Sequence, residues 1–341
     1  MIETKKLLLY RNIWMSIAIL GIVLFHMNPI SDNRFITRFQ EIGYGGVDIF
    51  LFASGIGCYY SYSHTLNPYS FLVKRMKKIL PMYFIALVFY FFNRSEILIG
   101  EVIANVFSYA YVGGFEHNFS WYISFLWIMY MLVPFIYGYI NSNSKHIHKY
   151  LIIVLMSALM AMSFIGNSSL IIAFSRVPIF VIGMCVGDYF STHEVVKLQN
   201  VFVLGFISII GVAILIKLLE LYPDFSWEYG IYWFPYIIIT PGLCFMISLV
   251  CSILSLSSVI NKCIFIVGKV IGGNTLAIFL ADTLGPFVSA ILGYSWDTEE
   301  HYVMSKICII PLSLIIVVFG YLFDCIIFNN DSKKNILKNN K

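Results

Sequence analysis

The stretch SIAILGIVLFHM, residues 16–27, decides the fold class, because it is an unbroken apolar run that ends in one histidine. An α-helix rises 1.5 Å per residue, so about 17–25 mostly apolar residues are enough to cross a bilayer. Of the 341 residues, 60% are hydrophobic and 12% are charged, whereas a soluble domain carries about 25% charge. The sequence therefore predicts an all-α, polytopic membrane protein.

Apolar runs of about spanning length recur along the whole chain. The eleven candidates are 12–27, 43–63, 76–92, 97–113, 121–140, 150–166, 170–190, 201–219, 232–255, 263–281 and 304–328. The run at 97–113 is the weakest of them, because it contains Glu101 and Asn105 and is only moderately apolar.

The distribution of basic residues decides whether 97–113 crosses the membrane, since Lys and Arg are enriched in cytoplasmic loops. If the N-terminus is cytoplasmic and 97–113 does not cross, the inner segments hold fifteen basic residues, and the outer loops hold only Arg34, Arg38 and Arg94. The sequence therefore predicts about ten transmembrane helices with both termini cytoplasmic. Residues 1–328 would form a single integral-membrane domain, followed by a polar cytoplasmic tail at 329–341.

Two ionisable residues lie near the predicted outer ends of the first two spans. His26 ends the first span, and an ionisable group in a membrane segment is by default a candidate functional residue; the alternative is an interfacial histidine that reaches headgroup water. Asp48, in GYGGVDIFLFASGIGCYY (43–60), is predicted on the same side and is able to orient an imidazole. The alternative for Asp48 is a structural hydrogen bond at the start of its helix.

A basic cluster precedes the third span in FLVKRMKKILPMY, residues 71–83. Arg75 and Lys78 are three residues apart, share a helix face and are suited to bind phosphates; the alternative is a cluster that only sets topology and faces anionic lipid. The seven histidines are scattered and the seven cysteines form no CxxC pair. The sequence therefore predicts no metal site.

Several of these stretches together resemble the acyltransferase 3 family of membrane-bound O-acyltransferases. The run IAILGIVLFH is similar to the family's first-span signature, which ends in an essential histidine, and GGVDIFLFASG resembles its second-span signature. KRMKKILPMY is similar to the basic approach to its third span. Further similar stretches occur in family order and cover nearly the whole chain: WYISFLWIMYMLVP, SRVPIFVIGMCVGDY and GGNTLAIFL.

The chain departs from the family pattern at three places. A basic residue usually stands ten or eleven positions before the histidine, where this chain has Met15 and Ser16, and Arg11 is the candidate substitute one helical turn earlier. Lys78 stands where the third-span motif of the family has its second arginine. The substitution keeps the positive charge but loses the planar guanidinium, which is able to donate two parallel hydrogen bonds to one phosphate. Asp282 stands where many members have another histidine.

The resemblance implies an acyltransferase that transfers groups other than aminoacyl groups. The donor would be cytoplasmic acyl-CoA, expected to be acetyl-CoA, and the acceptor a sugar hydroxyl of a cell-surface or exopolysaccharide, at the plasma membrane. Arg75, Lys78 and Arg11 are the expected donor-binding residues, and His26 and Asp48 the expected catalytic ones. The bilayer and a carbohydrate are the expected partners, and no nucleic acid is expected.

Other polar residues are expected to have auxiliary roles on the acceptor side, and Asp282 is expected to assist His26 from the penultimate span. Arg176 is expected to pair with an acid such as Asp48 or Asp282, or to stabilise a developing oxyanion. Glu116, His117 and Trp121, in GFEHNFSW (114–121), suit a sugar acceptor, and an interfacial aromatic belt is the alternative. Three rival functions remain: a transporter or flippase for a lipid-linked glycan, a glycan polymerase, and a family member that binds without catalysis.

Overall fold

The computed structural model describes residues 1–27, 33–92, 98–142, 148–222, 229–295 and 298–327, and these residues are mostly helical. The predicted tail at 329–341 and Arg94 lie outside the described residues. The α-helices of the described residues are α1 Thr4–Leu9, α2 Arg11–Phe25, α3 Arg34–Glu41, α4 Gly46–Thr65, α5 Pro68–Phe92, α6 Ile99–Val106, α7 Trp121–Ile140, α8 His148–Met162, α9 Ser168–Phe174, α10 Val177–Thr192, α11 Leu198–Leu221, α12 Tyr236–Leu254, α13 Ser258–Val270, α14 Thr275–Ile291, α15 Glu299–Ile307 and α16 Ile309–Ile327.

The predicted all-α polytopic fold is confirmed. Within the described part of the chain, eight helical segments are long and apolar enough to cross a membrane: Thr4–Phe25, Ile36–Thr65, Trp121–Ile140, Ser169–Thr192, Leu198–Leu221, Tyr236–Leu254, Ser258–Ile291 and Glu299–Phe323. Helices α5 and α8 overlap the two other predicted spans, 76–92 and 150–166; α8 has only 15 residues, and the crossing of these two helices stays a prediction. Helix α6 has eight residues, about 12 Å of rise, which is too short to cross. The cytoplasmic placement of both termini stays a prediction.

The chain divides into two compact units. Unit 1 comprises Met1–Pro68 and Phe125–Gly273, and unit 2 comprises Tyr69–Ser124 and Asn274–Lys341. These are units of packing, and the single functional domain at 1–328 stays a prediction.

Unit 1 is built around the contact between α4 and α10, with α2 against α4, α8 against α10, and α11 against α12. Glycines let α4 and α10 approach closely. A Cβ at Gly55 would lie 2.2 Å from the Phe180 carbonyl oxygen, and one at Gly183 would lie 2.3 Å from that of Phe52. Because close helix approach through small residues replaces the hydrophobic effect in lipid, this contact stabilises the unit.

A short two-stranded sheet also belongs to unit 1. Strand β1 (Ile2–Glu3) pairs antiparallel with β2 (Val195–Val196), with Ile2 opposite Val196. The sheet holds the start of the chain next to the end of α10.

Unit 2 contains an antiparallel pair formed by α14 and α15. The Ser289 hydroxyl donates to the His301 carbonyl oxygen at 3.0 Å. A Cβ at Gly285 would lie 2.4 Å from the Ser305 carbonyl oxygen, so the two backbones almost touch. Helix α16 also packs on α14.

Candidate functional site

Helix α2 carries two of the predicted site residues, one at each end. Arg11 is its first residue, and His26 follows its last residue. The His26 backbone N–H donates to the Ile22 carbonyl oxygen at 3.1 Å, so the residue completes the last turn. Its imidazole is exposed and lies against Phe25, with 5.3 Å between ring centroids. The ring is therefore held beside the helix end and remains accessible.

Asp48 and Arg176 form a buried ion pair in unit 1. The Arg176 Nε donates to Asp48 Oδ2 at 3.3 Å, and each side chain is 2% exposed. The Arg176 Nη1 also donates to the Ile172 carbonyl oxygen. Of the two acids that the sequence offered to Arg176, its partner is Asp48. Because Asp48 is in the first turn of α4 and Arg176 precedes α10, the pair fastens the starts of these two helices together.

Aromatic rings connect the ion pair to the helix end that carries His26. The Arg176 guanidinium carbon lies 5.4 Å from the Trp233 ring centroid. Trp233 is 6.4 Å from Tyr44, and Tyr44 is 5.5 Å from Phe25, both measured between ring centroids. The Asp48–Arg176 pair thus lies behind a layer of rings that supports Phe25. The expected interaction between Asp48 and the imidazole stays a prediction.

The same aromatic group is fixed by hydrogen bonds from phenols to backbone. The Tyr44 hydroxyl donates to the Tyr232 carbonyl oxygen at 2.8 Å, and the Tyr236 hydroxyl donates to that of Ile42 at 2.6 Å. All three tyrosines are buried, and buried hydroxyls that are satisfied in this way give a rigid layer. The rings are therefore a stable support for the end of α2.

At the other end of α2, the half-buried Arg11 guanidinium lies over Gly57 of α4. A Cβ at Gly57 would be 3.4 Å from Arg11 Nη2 and 3.8 Å from its guanidinium carbon. These are ordinary contact distances, so only a side chain larger than a methyl group at position 57 would enter the space that the guanidinium occupies. Arg11 is held between α2 and α4 within unit 1.

The structure gives a physical reason for the missing basic residue at position 16. Ser16 is 1% exposed, and its hydroxyl donates to the carbonyl oxygens of Asn12 at 2.9 Å and Val267 at 3.3 Å. A Cβ at Gly272 would lie 2.9 Å from the Ser16 hydroxyl oxygen. Helix α13 and the turn after it therefore fill the space next to Ser16, and a long cationic side chain does not fit there. Met15 is half-buried.

The other two predicted donor-binding residues lie on α5. The Arg75 guanidinium carbon is 5.2 Å from the Phe71 ring centroid, so the half-buried side chain is held by a cation–π contact. Lys78 follows by one turn and is exposed. The two cations share one face of a single helix, as the spacing predicted.

Asp282 is paired in unit 2 with a residue that sequence reasoning missed. The Lys306 Nζ donates to Asp282 Oδ1 at 2.6 Å, with the two side chains 12% and 1% exposed. The pair joins α15 to α14. Lys306 is a cation within the apolar run 304–328, and the rule that intramembrane charges pair with one another would have identified it.

The acceptor-side candidates of unit 2 lie in a segment that Asn105 organises. The buried Asn105 amide nitrogen donates to the carbonyl oxygens of Glu101 at 2.9 Å and His117 at 2.7 Å, and its oxygen accepts from the Phe119 N–H at 2.8 Å. Glu116 is exposed, and His117 and Trp121 are half-buried. The segment that carries them is therefore ordered and partly accessible.

Among the described residues there is no group of three His, Cys, Asp or Glu side chains that could hold a metal ion. The chemistry available is that of an accessible imidazole, a buried ion pair, and cations on α2 and α5. Arg11, His26, Asp48 and Arg176 belong to unit 1, whereas Arg75, Lys78, Glu116, His117, Trp121 and Asp282 belong to unit 2.

A family model described as an acyltransferase domain matches residues 14–328. Neither the curated proteins nor the solved structures contain a match to the chain. The matched range covers the segments that carry His26, Asp48, Arg75 and Arg176, and Arg11 lies three residues before it.

Proposed function

Because the chain belongs to the acyltransferase 3 family, we propose that it is a transmembrane O-acyltransferase. The proposed donor is acyl-CoA, in the first place acetyl-CoA, on the cytoplasmic side of the plasma membrane. The proposed acceptor is a sugar hydroxyl of a cell-surface or exopolysaccharide. In this account the family membership supports the acyl transfer itself, and the residues described above support its division between two sides of the bilayer.

One observation carries the proposal: an accessible imidazole lies at one end of a helix whose other end begins with an arginine. His26 lies fifteen positions after Arg11, and this corresponds to about 22 Å along the helix axis. This separation is most of the roughly 30 Å hydrocarbon core. A cation that binds the coenzyme phosphates and an imidazole that serves the acceptor would then lie near opposite faces of the membrane.

The reaction exchanges a thioester for an ester, and His26 is suited to assist it in either of two ways. As a general base, it takes the proton of the sugar hydroxyl, whose oxygen attacks the acyl carbonyl while the bond to sulfur breaks; the coenzyme leaves as a thiolate that takes up a proton. As a nucleophile, its ring nitrogen attacks the acyl carbonyl and the coenzyme leaves as a thiolate, which takes up a proton from water. The sugar oxygen then attacks the acyl carbon, the bond from that carbon to the ring nitrogen breaks, and the hydroxyl proton is released to water. General-base assistance is typically worth about 10²–10⁴ in rate.

The buried Asp48–Arg176 pair supports this chemistry through packing. Its two charges neutralise each other between α4 and α10. Arg176 contacts Trp233, which packs on Tyr44, and Tyr44 packs on Phe25. The imidazole of His26 lies against Phe25, so the position of Arg176 affects the position of the imidazole through these rings. In this proposal Asp48 and Arg176 are positioning residues. Arg11 in unit 1 and, separately, Arg75 and Lys78 on α5 in unit 2 are the proposed groups for charge-assisted hydrogen bonds to coenzyme phosphates.

Acyl transfer by the purified, full-length protein tests the proposal. Labelled acetyl-CoA and a panel of oligosaccharides are incubated with the wild type, with His26→Ala and with His193→Ala. His193 is a matched control, since it is also exposed, also follows a helix of unit 1 and also lies against an aromatic ring, that of Tyr189. We expect a base-labile labelled sugar with the wild type and with His193→Ala, and none with His26→Ala.

Two outcomes would contradict the proposal. Full activity of His26→Ala would remove the imidazole from the mechanism. No acyl transfer by the wild type to any acceptor, together with movement of a lipid-linked glycan across vesicles that contain it, would favour the rival transporter function.

A further inference from the structure

The end of α2 is held by a side chain from the neighbouring helix α3. The Gln40 Nε2 donates to the Leu24 carbonyl oxygen at 2.8 Å and to the Met27 carbonyl oxygen at 2.9 Å. Gln40 is 6% exposed. Its amide nitrogen has two N–H groups, and these two bonds account for both of them.

The two carbonyl groups flank His26 in the chain. The last four carbonyls of a helix have no partner within the helix. Here the Leu24 carbonyl also accepts from the Met27 N–H at 3.1 Å, so Gln40 closes a small ring of hydrogen bonds around the backbone of His26. The two hydrogen bonds that Gln40 donates to the Leu24 and Met27 carbonyl oxygens are called the clamp below. The clamp fixes the Cα position of His26 and the direction in which its side chain leaves the helix.

The segment that carries Gln40 is itself fixed against α2. The 3-10 turn Ile42–Gly45 follows α3, and a Cβ at Gly43 would lie 2.2 Å from the Gly21 carbonyl oxygen. The Tyr236 hydroxyl holds the Ile42 carbonyl oxygen. Gln40 thus reaches the end of α2 from a backbone that has no room to shift towards it.

We propose that Gln40 is the positioning residue for His26: its carboxamide sets the place of the imidazole and has no contact with either substrate. This inference rests on the proposed function of His26. In the clamp, the Gln40 side chain donates both hydrogen bonds to backbone carbonyl oxygens, so the side chain at position 40 has to be a hydrogen-bond donor. A misplacement of about 1 Å in a reacting group is able to cost about a hundredfold in rate.

The test compares Gln40→Leu and Gln40→Glu with Thr37→Val on the same helix. Gln40→Leu removes both donors with little change in volume, and Gln40→Glu keeps the shape but offers the two carbonyl oxygens no donor when ionised and a single donor when protonated. Thr37 is the control, because its hydroxyl donates to the Asn33 carbonyl oxygen one turn earlier, at 3.2 Å. We expect both Gln40 variants to lower kcat tenfold or more, with KM for acyl-CoA and the melting temperature close to wild type.

Hydrogen exchange supplies a readout that does not depend on catalysis. Loss of the clamp should accelerate exchange of the His26 and Met27 amides at least tenfold in the Gln40 variants and leave it unchanged in Thr37→Val. Unchanged exchange and unchanged kcat would overturn the proposal. A joint fall of kcat, acyl-CoA affinity and melting temperature would show a merely structural role and would also overturn it.

The two readouts separate this inference from the function on which it rests. If the wild type transfers no acyl group, the proposed function fails, whereas hydrogen exchange still reports whether Gln40 holds the end of α2. If the wild type is active and the Gln40 variants match it, only the positioning role fails.

Discussion

Removal of one partner of the Asp48–Arg176 pair should destabilise the protein strongly. At 3.3 Å and an effective dielectric constant of 20, the Coulomb energy of two unit charges is about 5 kcal/mol. Breaking a buried pair from one side typically costs about 3–5 kcal/mol, because the other charge stays buried without compensation. In Asp48→Asn the guanidinium keeps the Ile172 carbonyl and the Trp233 ring. We therefore expect a loss near the lower end, about 3 kcal/mol in the free energy of unfolding.

A double-mutant cycle isolates the pair from other effects of each substitution. It consists of Asp48→Asn, Arg176→Met and the double variant, each measured by denaturation of the detergent-solubilised protein. The double variant has no uncompensated charge, so it should be more stable than the sum of the single effects predicts, by about 2–3 kcal/mol.

Lys217 and Glu220 provide the matched control pair. Their charged atoms are 3.2 Å apart, close to the separation in the buried pair, but the side chains are 64% and 50% exposed. Exposed pairs contribute about 0–1 kcal/mol, so Lys217→Gln should change stability by less than about 0.5 kcal/mol. Additive effects of Asp48→Asn and Arg176→Met, or single losses as small as that of Lys217→Gln, would show that the pairing of these two charges does not stabilise the protein.

Three further predictions concern other parts of the chain. Gly57→Val should place methyl groups in the space of the Arg11 guanidinium and raise KM for acyl-CoA several-fold. Gly57→Ala should leave KM unchanged, because its methyl group lies at ordinary contact distance from the guanidinium. Equal KM values for the two variants would contradict the role of Arg11. A cysteine at Asn141 in a Cys-free background should be protected from impermeant thiol reagents added outside cells, and labelling from outside would overturn the ten-span topology. Asn105→Leu should release the segment that contains His117 and increase its proteolysis at least tenfold; unchanged proteolysis would show that the three amide hydrogen bonds do not hold it.

The membrane-spanning helices were predictable from the sequence, because apolar composition over about twenty residues is a local property. Each of the eight long apolar segments, and α8, overlaps a predicted run on this basis, and Ser258–Ile291 exceeds its run, 263–281, at both ends. The distribution of Lys and Arg led to the prediction that 97–113 does not cross, and the eight-residue α6 is consistent with it. The basic cluster of α5 was read correctly as part of a helix.

The contacts within the site depend on tertiary structure, which a single sequence does not specify. Arg176 had two candidate acids, and the choice of Asp48, 128 positions away, follows from the close crossing of α4 and α10 at Gly55 and Gly183. Gln40 and Trp233 carried no sequence signal, since a glutamine in a short amphipathic helix and an aromatic residue at the start of an apolar run are both ordinary. The replacement of a basic residue by Ser16 was visible in the sequence, but its reason, the contact with α13, was not.

The proposed function requires that the donor is used on one face of the membrane and the acceptor on the other. The most direct test places the protein in sealed proteoliposomes, with labelled acyl-CoA outside and a carbohydrate acceptor enclosed within. We predict labelled ester on the enclosed acceptor with the wild type and none with His26→Ala. Labelling that occurs only when donor and acceptor share one compartment would contradict the account.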